Sequence, residues 1–188
     1  MKKKSDIVIA LLRGVNLGGH HLIPMQTLRS ICESLGFVQP QTLLQSGNVL
    51  FRTGDKKAAL RLETAIEREL GFRPRVIVRA PAELRKVIAA NPFAARAGID
   101  HSKLIVTFLD EEPDEDAAGR IEQLNGGPEE FHLIGRELFT YYANGAGRAE
   151  TPAHKIGKAL GVTGTARNWN TIQKLLARAE AMENGAAS

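Results

Sequence analysis

The order of strand and helix patterns in the first 80 residues is the feature that most constrains the fold of this chain. The continuous apolar run at 7–12 is typical of a strand covered on both faces, and it leads directly into a glycine-rich polar segment at 13–19. Apolar side chains at 25–35 then recur every three or four positions, which indicates an amphipathic helix. Two short strands around a turn at 46–48, a second amphipathic helix and a strand at 76–78 follow.

This series, strand–helix–strand–strand–helix–strand, is the split βαβ arrangement of ferredoxin-like domains. In that topology the first and third strands are central and antiparallel, so the end of the first lies beside the start of the third. We therefore expect residues 13–16 to lie next to the turn at 46–48, although about 30 residues separate them in the sequence.

The second half of the chain shows helix, strand, helix, strand, strand, helix and helix patterns, without an obvious fourth strand. The sequence thus predicts an α+β protein with two ferredoxin-like subdomains, at 1–80 and 81–188. The first is βαββαβ, and the second is permuted or incomplete and carries the C-terminal helix.

Bulk composition limits the functional classes. No apolar run in the 188 residues approaches the length of a bilayer span, so we expect no membrane partner. The basic start at 2–4 is followed by an apolar run too short for a signal peptide. Cys32 is the only cysteine, which excludes an internal disulfide, and its place on an apolar helix face indicates a buried thiol. A cytoplasmic location fits these features.

Charge is distributed unevenly within the net charge of +4. Residues 1–80 carry 13 Lys/Arg and 6 Asp/Glu, whereas residues 81–188 carry 12 and 15. The basic half favours phosphates or nucleic acid as partners, or else its cations simply decorate helix surfaces. The acidic run at 110–116 is either a binding patch or a loop leading into a helix, where carboxylates favour the macrodipole.

Three polar clusters, each near a glycine, are the candidate site. Arginine offers a planar fork for carboxylate or phosphate, tryptophan offers a stacking face, and glycine lets a ligand approach the backbone. The candidate ligand-binding residues are Arg13, Asn16, Ser46, Asn48, Arg167, Asn168 and Trp169. The alternative for the last cluster is structural: a helix cap at 170–171, a core tryptophan and an arginine paired with an acid.

These clusters also carry a family resemblance. The segments LLRGVNLGG at 11–19, TLLQSGNVLF at 42–51 and GTARNWNTIQKLL at 164–176 resemble the domain-of-unknown-function 1697 family of bacterial proteins. The resemblance implies two small α+β subdomains related to the ferredoxin fold. It implies no activity, so it assigns no catalytic residue.

Three hypotheses for function follow. The first is a protein that binds an anionic or nucleotide-like small ligand where the RGVN and QSGN loops converge with the RNWNT segment. The second is an enzyme acting on a small phosphorylated or carboxylated substrate, with Ser46 or a bound water reacting. The third, ranked last, is a nucleic-acid-binding module. We expect no metal, because the histidines lack ligand spacing, and no cofactor, because the dinucleotide and Walker-type glycine motifs are absent.

Overall fold

A computed structural model of the chain describes residues 6–185, and the basic start at 2–4 lies outside the described residues. The chain divides into two compact units. One comprises the described residues of Met1–Arg85 together with those of Leu175–Ser188, and the other comprises Lys86–Lys174. The expected division into 1–80 and 81–188 stays a prediction, since compactness alone does not show which segment folds independently.

The first unit has the predicted βαββαβ order. Its elements are β1 (Asp6–Leu12), α1 (Met25–Ser34), β2 (Val38–Thr42), β3 (Asn48–Thr53), α2 (Ala58–Leu70) and β4 (Val76–Arg79). The strands form one antiparallel sheet in the order β2-β3-β1-β4, so β1 and β3 are central. The first ferredoxin-like subdomain is therefore confirmed.

The second unit repeats this topology. After α3 (Pro81–Ala89), its elements are β5 (Leu104–Leu109), α4 (Ala117–Glu122), β6 (Glu129–Ile134), β7 (Glu137–Tyr142), α5 (Ala153–Leu160) and β8 (Gly164–Asn168), and α6 (Trp169–Gly185) follows. The sheet order, β6-β7-β5-β8, is that of the first sheet. The two ferredoxin-like subdomains are thus confirmed.

The expectation that the second unit is permuted or incomplete is wrong, because β8 supplies the fourth strand. This strand has the sequence GTARN and pairs only with β5, at the edge of its sheet. Only Thr165 and Arg167 in it are buried, so it lacks the apolar pattern that marks a strand in a sequence. In the sequence alone, this segment therefore resembles a polar loop before the last helix.

Each unit has its own core between the sheet and the helices. In the first, Leu28 and Ile31 of α1 and Leu62 of α2 pack with Val49 and Phe51 of the sheet. In the second, the core cluster of buried residues is Leu109, Ile121, Phe131, Leu138, Ala159 and Leu160. Burying each such large side chain contributes about 1.5–3 kcal/mol, which is why the predicted apolar stripes face inward.

Ion pairs and a hydrogen bond attach the C-terminal part of α6 to other elements of the first unit. Arg85 of α3 forms ion pairs with Glu180, at 3.1 Å, and with Glu183. Arg178 donates a hydrogen bond to Gln41 of β2 at 3.4 Å. No helix within residues 6–185 combines the length and the apolar composition that a bilayer crossing requires.

Candidate functional site

The RGVN and QSGN segments meet at one edge of the first sheet, as predicted. Leu11 of β1 lies opposite Asn48 of β3 in the register. The Leu12 N–H donates to the Gly47 carbonyl at 2.8 Å, just beyond the sheet. A third loop reaches the same edge, because the Arg13 N–H donates to the Arg75 carbonyl at 2.9 Å. We call the loops at 13–24, 43–47 and 71–75 together the loop edge.

Asn16 links two of these loops. Its side-chain Oδ1 accepts from the Ile23 N–H at 2.7 Å, and its Nδ2 donates to the Ile23 carbonyl at 3.1 Å. The same Nδ2 donates to the Gln45 carbonyl at 2.7 Å, across 29 residues of sequence. Its φ of 54° lies in the left-handed region that asparagine tolerates better than most residues. The Asn16 amide therefore closes its own loop and attaches it to the QSGN loop.

Gly47 allows the two loops to approach. Its φ is 71°, and a Cβ placed on it would lie 2.4 Å from Val15 Cγ2 and 3.0 Å from Leu12 Cβ. Real Cβ atoms do not approach other atoms so closely, so only glycine fits without a shift of its neighbours. The glycine of the QSGN motif thus has a packing role.

Asn48 and Ser46 form part of the turn itself. Asn48 is fully buried, and its Nδ2 donates to the Leu43 carbonyl at 2.9 Å and to Ser46 Oγ at 2.8 Å. Ser46 itself is exposed. These bonds satisfy a buried amide, so the polar groups of both residues stabilise the turn between β2 and β3.

Arg13 differs from the other predicted residues of this edge. Arg13 is exposed, and no residue between 6 and 185 forms a hydrogen bond or ion pair with its guanidinium. Its backbone is held at the sheet by the bond to Arg75 described above. Arg13 therefore presents a charge from a fixed position.

The third predicted cluster lies in the second unit, and Arg167 belongs to β8. Arg167 lies opposite Val106 and is 6% exposed. Its Nη1 donates to Thr165 Oγ1 and to the Ala166 carbonyl, both at 2.8 Å. Burial lowers the pKa of Arg167 to about 10, because the charged form loses hydration. Its guanidinium is thus part of the buried side of the sheet.

Asn168 and Trp169 form the junction between β8 and α6. Asn168 Oδ1 accepts from the Asn170 N–H at 3.0 Å, and its Nδ2 donates to the Ser102 carbonyl at 2.7 Å. Trp169 is 3% exposed, with its ring centroid 6.1 Å from that of His101. The buried indole agrees with the structural alternative, but the side chain that caps α6 belongs to Asn168 and not to residue 170 or 171. A ring so deeply buried offers no face for stacking on an external base.

Sequence reasoning missed two features. The first is the loop at 71–75, where Phe72 stacks on His21 with ring centroids 4.6 Å apart. The split βαβ topology was the available signal, because it brings the start of the fourth strand to the edge where the first strand ends. The second is Arg79, 2% exposed, whose pairing with Ile9 in β1 corresponds to that of Arg167 in the second sheet. No pattern in the sequence marks that correspondence, which depends on the register of both sheets.

Other chemistry has little support. Within residues 6–185 no group of three or more His, Cys, Asp or Glu side chains is arranged to hold a metal ion. Cys32 is fully buried, and burial, with a smaller contribution from Glu33, raises the pKa of its thiol to about 12. A nucleophilic thiolate is therefore not formed there at neutral pH.

Comparison with known proteins decides the family. A family model described as protein of unknown function, DUF1697, matches residues 6–139. The chain belongs to the DUF1697 family. The resemblance inferred from the sequence motifs is thereby confirmed. Among curated proteins, none matches this DUF1697 chain.

A solved structure shares the fold of this DUF1697 protein. It is a conserved bacterial protein from Streptococcus pneumoniae, with a TM-score of 0.68 and 21% sequence identity. The similarity covers 93% of this chain and 99% of that chain. At this identity the likeness establishes a common architecture across both units.

Proposed function

We infer that this protein binds a small anionic ligand, bearing a phosphate or carboxylate group, at the loop edge of the first unit. The observation that carries the inference is Arg13, an exposed guanidinium with no partner among residues 6–185, fixed beside the sheet. A planar fork of N–H donors in that position suits bidentate binding of an oxyanion.

The charge of the loop edge supports an anion. The three loops contain Arg13, Arg73 and Arg75 and no Asp or Glu. Arg73 is engaged with Glu63 and Glu67 of α2, at 3.4 Å each. The loops themselves therefore contain no carboxylate that would repel an anion. Arg73 is balanced by the carboxylates of α2, so the attraction comes chiefly from Arg13.

Pre-organisation supports a specific site rather than general attraction. The Asn16 amide joins the RGVN and QSGN loops before any ligand arrives. Exposed Gly18 and Gly19 carry no side chain that would keep a ligand from the backbone. A ligand bound there would not have to order the loops, so less binding free energy is lost.

The residues of the third cluster have a different role in this proposal from those of the first two. Asn16, Ser46 and Asn48 shape the loop edge, and Arg13 contacts the anion. Arg167, Asn168 and Trp169 keep their own unit folded, so we assign the anion to Arg13 and the loop backbone. The enzyme and nucleic-acid hypotheses stay predictions.

The test is a titration of the ¹⁵N-labelled protein with inorganic phosphate, and with succinate as a carboxylate, followed by amide chemical shifts. We expect saturable shifts at Gly14, Gly18, Gly19 and Ser46, and at least a tenfold loss of affinity in Arg13→Gln, since a charge-assisted bidentate pair is worth about 1.5–3 kcal/mol. Arg29→Gln is the matched control, because Arg29 is an exposed arginine of α1 outside the loop edge.

Two outcomes would overturn the proposal. One is the absence of saturable shifts at the loop edge with either anion. The other is equal affinity in the Arg13 and Arg29 variants, which would mean that net charge, and not a site, attracts the ligand.

A further inference from the structure

A pocket of about 330 Å³ opens at the edge of the first sheet opposite the loop edge. It lies where β1 begins and where β3 and β4 end, beside the first residues of α2 and α3. Its apolar lining comes from Ile7, Val8, Ala58, Ala59 and Val78. Ligand pockets typically measure about 300–1,000 Å³, so this one suits a molecule smaller than a nucleotide.

Two acidic groups of the pocket are already engaged. The Asp55 carboxylate accepts from Arg61 Nη1 at 2.6 Å and from the Lys57 N–H at 2.8 Å. Glu83 Oε2 accepts from the Ala80 N–H at 2.7 Å, at the start of α3. These contacts hold both carboxylates in place at the wall of the pocket, and Arg61 balances the charge of Asp55.

Two further charged groups of the pocket have opposite signs. Among residues 6–185, none forms a hydrogen bond or ion pair with the Asp6 carboxylate or with the Lys56 ammonium group. Both residues are exposed at the pocket rim, and Asp6 lies opposite Thr53 in the sheet register. The buried Arg79 also lines the pocket, and its Nη1 donates to the Val78 carbonyl at 3.0 Å. Beside it and the apolar lining, a ligand would meet one carboxylate and one ammonium group that have no partner among residues 6–185.

The same corner of the second unit carries a different pair of residues. From the matching registers, Lys103 and Ala143 occupy the positions of Asp6 and Gly54. Lys103 Nζ donates to the Ala143 carbonyl at 2.8 Å, which a carboxylate at position 6 cannot do. At this corner the second unit therefore has a side chain bonded to the neighbouring strand end, whereas in the first unit Asp6 borders the pocket.

We propose that this pocket binds a free aliphatic α-amino acid. The ligand carboxylate pairs with Lys56, close to the start of α2, where the helix dipole also favours negative charge. The ligand ammonium pairs with Asp6, and the aliphatic side chain packs on Val8, Ala58 and Val78. A simple anion or a simple cation would leave one of the two free charges unpaired.

The test uses L-leucine as the probe, with the ¹⁵N-labelled protein and amide chemical shifts as the readout. We expect saturable shifts at Ile7, Val8, Ala58 and Val78. N-acetyl-leucine, which lacks the ammonium, and leucinamide, which lacks the carboxylate, should each bind about fivefold more weakly, as a solvent-exposed ion pair allows.

Two variants assign the partners. Asp6→Asn should abolish the preference for leucine over N-acetyl-leucine, and Lys56→Gln should abolish the preference for leucine over leucinamide. Both side chains are exposed, so both variants should keep the dispersed spectrum of the folded protein. Lys57→Gln is the matched control, since Lys57 is a neighbouring exposed lysine that does not line the pocket.

The proposal is overturned if saturating leucine moves none of these amides, or if the two blocked compounds bind as well as leucine. It is also overturned if leucine binds only after residues 1–5 are removed, because the chain itself would then fill the pocket. Arg13→Gln should leave leucine binding unchanged, which separates this result from the anion test at the loop edge.

Discussion

The two units use the same backbone arrangement at corresponding sheet edges and place opposite charges there. In the first, the Leu12 and Arg13 N–H groups donate to the Gly47 and Arg75 carbonyls at 2.8 and 2.9 Å. In the second, the Leu109 and Asp110 N–H groups donate to the Arg136 and Thr163 carbonyls, both at 2.9 Å. Arg13 in one unit thus corresponds to Asp110 in the other.

The loops that follow differ in how they use their polar groups. The acidic run of the second unit bonds within itself and with α4: Arg120 Nη2 pairs with both oxygens of Asp114, at 2.9 and 2.8 Å. The hydrogen bond from Arg120 lowers the pKa of Asp114, so that carboxylate stays ionised. In the first unit, by contrast, Arg13 has no such partner among residues 6–185. A shared fold therefore does not imply a shared site, and function has to be assigned to each unit separately.

The largest expected effect on stability comes from Gly47, where the RGVN and QSGN loops pack against each other. Gly47→Ala should lower the free energy of unfolding by about 2–4 kcal/mol, since it adds both left-handed strain and a clash with Val15 and Leu12. The second unit has Arg136 at the corresponding position, so this requirement belongs to the first unit alone. Urea unfolding measures the loss.

Gly36→Ala is the control for Gly47→Ala. Its φ is 78°, and no atom lies within 4 Å of an added Cβ. It should cost only about 1 kcal/mol, from backbone strain. Equal losses in the two variants would show that Gly47 is needed for its dihedral angle only.

The next effect concerns the link between the loops. Asn16→Ala should cost about 2 kcal/mol, because it removes three hydrogen bonds and leaves alanine at a φ of 54°. Hydrogen exchange of the Ile23 amide should accelerate, while Gln45→Ala, which keeps the backbone acceptor, should leave it unchanged. An unaltered Ile23 exchange rate in Asn16→Ala would contradict the assigned role.

A smaller effect should appear in the second unit, where buried Glu129 holds the segment before α5. Its carboxylate accepts from the Glu150 N–H at 2.9 Å, from the Thr151 N–H at 3.1 Å and from Thr151 Oγ1 at 2.8 Å. Burial alone would raise the pKa of Glu129, but these hydrogen bonds outweigh it and hold the pKa below the ordinary value of 4.5. Glu129→Gln should therefore cost about 1 kcal/mol at neutral pH.

The sign of the pH dependence follows from that lowered pKa. The stabilisation by Glu129 is fully present above pH 4.5 and is lost as the pH falls through the lower folded-state pKa. Wild type should thus lose more stability than Glu129→Gln between neutral pH and pH 3, whereas exposed Glu115→Gln should follow wild type. Parallel curves for wild type and Glu129→Gln in urea unfolding would refute this account.

The smallest expected effect on stability is that of Arg13, whose role we assign to binding and not to folding. Arg13→Gln should change the free energy of unfolding by less than about 0.5 kcal/mol, since the side chain has no partner among residues 6–185. The same urea experiment that detects the losses in Gly47→Ala and Asn16→Ala checks this. A loss above 1 kcal/mol would place Arg13 among the structural residues of the loop edge.

Much of the first unit could be predicted from sequence alone. Helices at 25–35 and around Leu62, the central apolar strand and the meeting of two distant loops all followed from periodicity and one topological rule. The second unit was harder because β8 has a polar edge-strand sequence. Its strand character comes from pairing with β5, more than 50 residues away in the chain.

The roles of the candidate residues were decided by tertiary structure. Asn16, Asn48 and Arg13 are all polar residues within two positions of a glycine, so their types and positions predict equal access to a ligand. Whether a polar group is free depends on neighbours that are distant in sequence, such as the Gln45 carbonyl that binds the Asn16 amide.

Local sequence thus determined the elements and their order in the first unit, because periods of 2 and 3.6 residues are properties of adjacent positions. Only the folded chain determined that Arg13 has no side-chain partner among residues 6–185 and that Arg167 and Trp169 are buried. It also determined that Asp6 borders a pocket while Lys103 bonds to the Ala143 carbonyl. Burial and hydrogen-bond satisfaction arise from contacts between segments, and no local pattern encodes them.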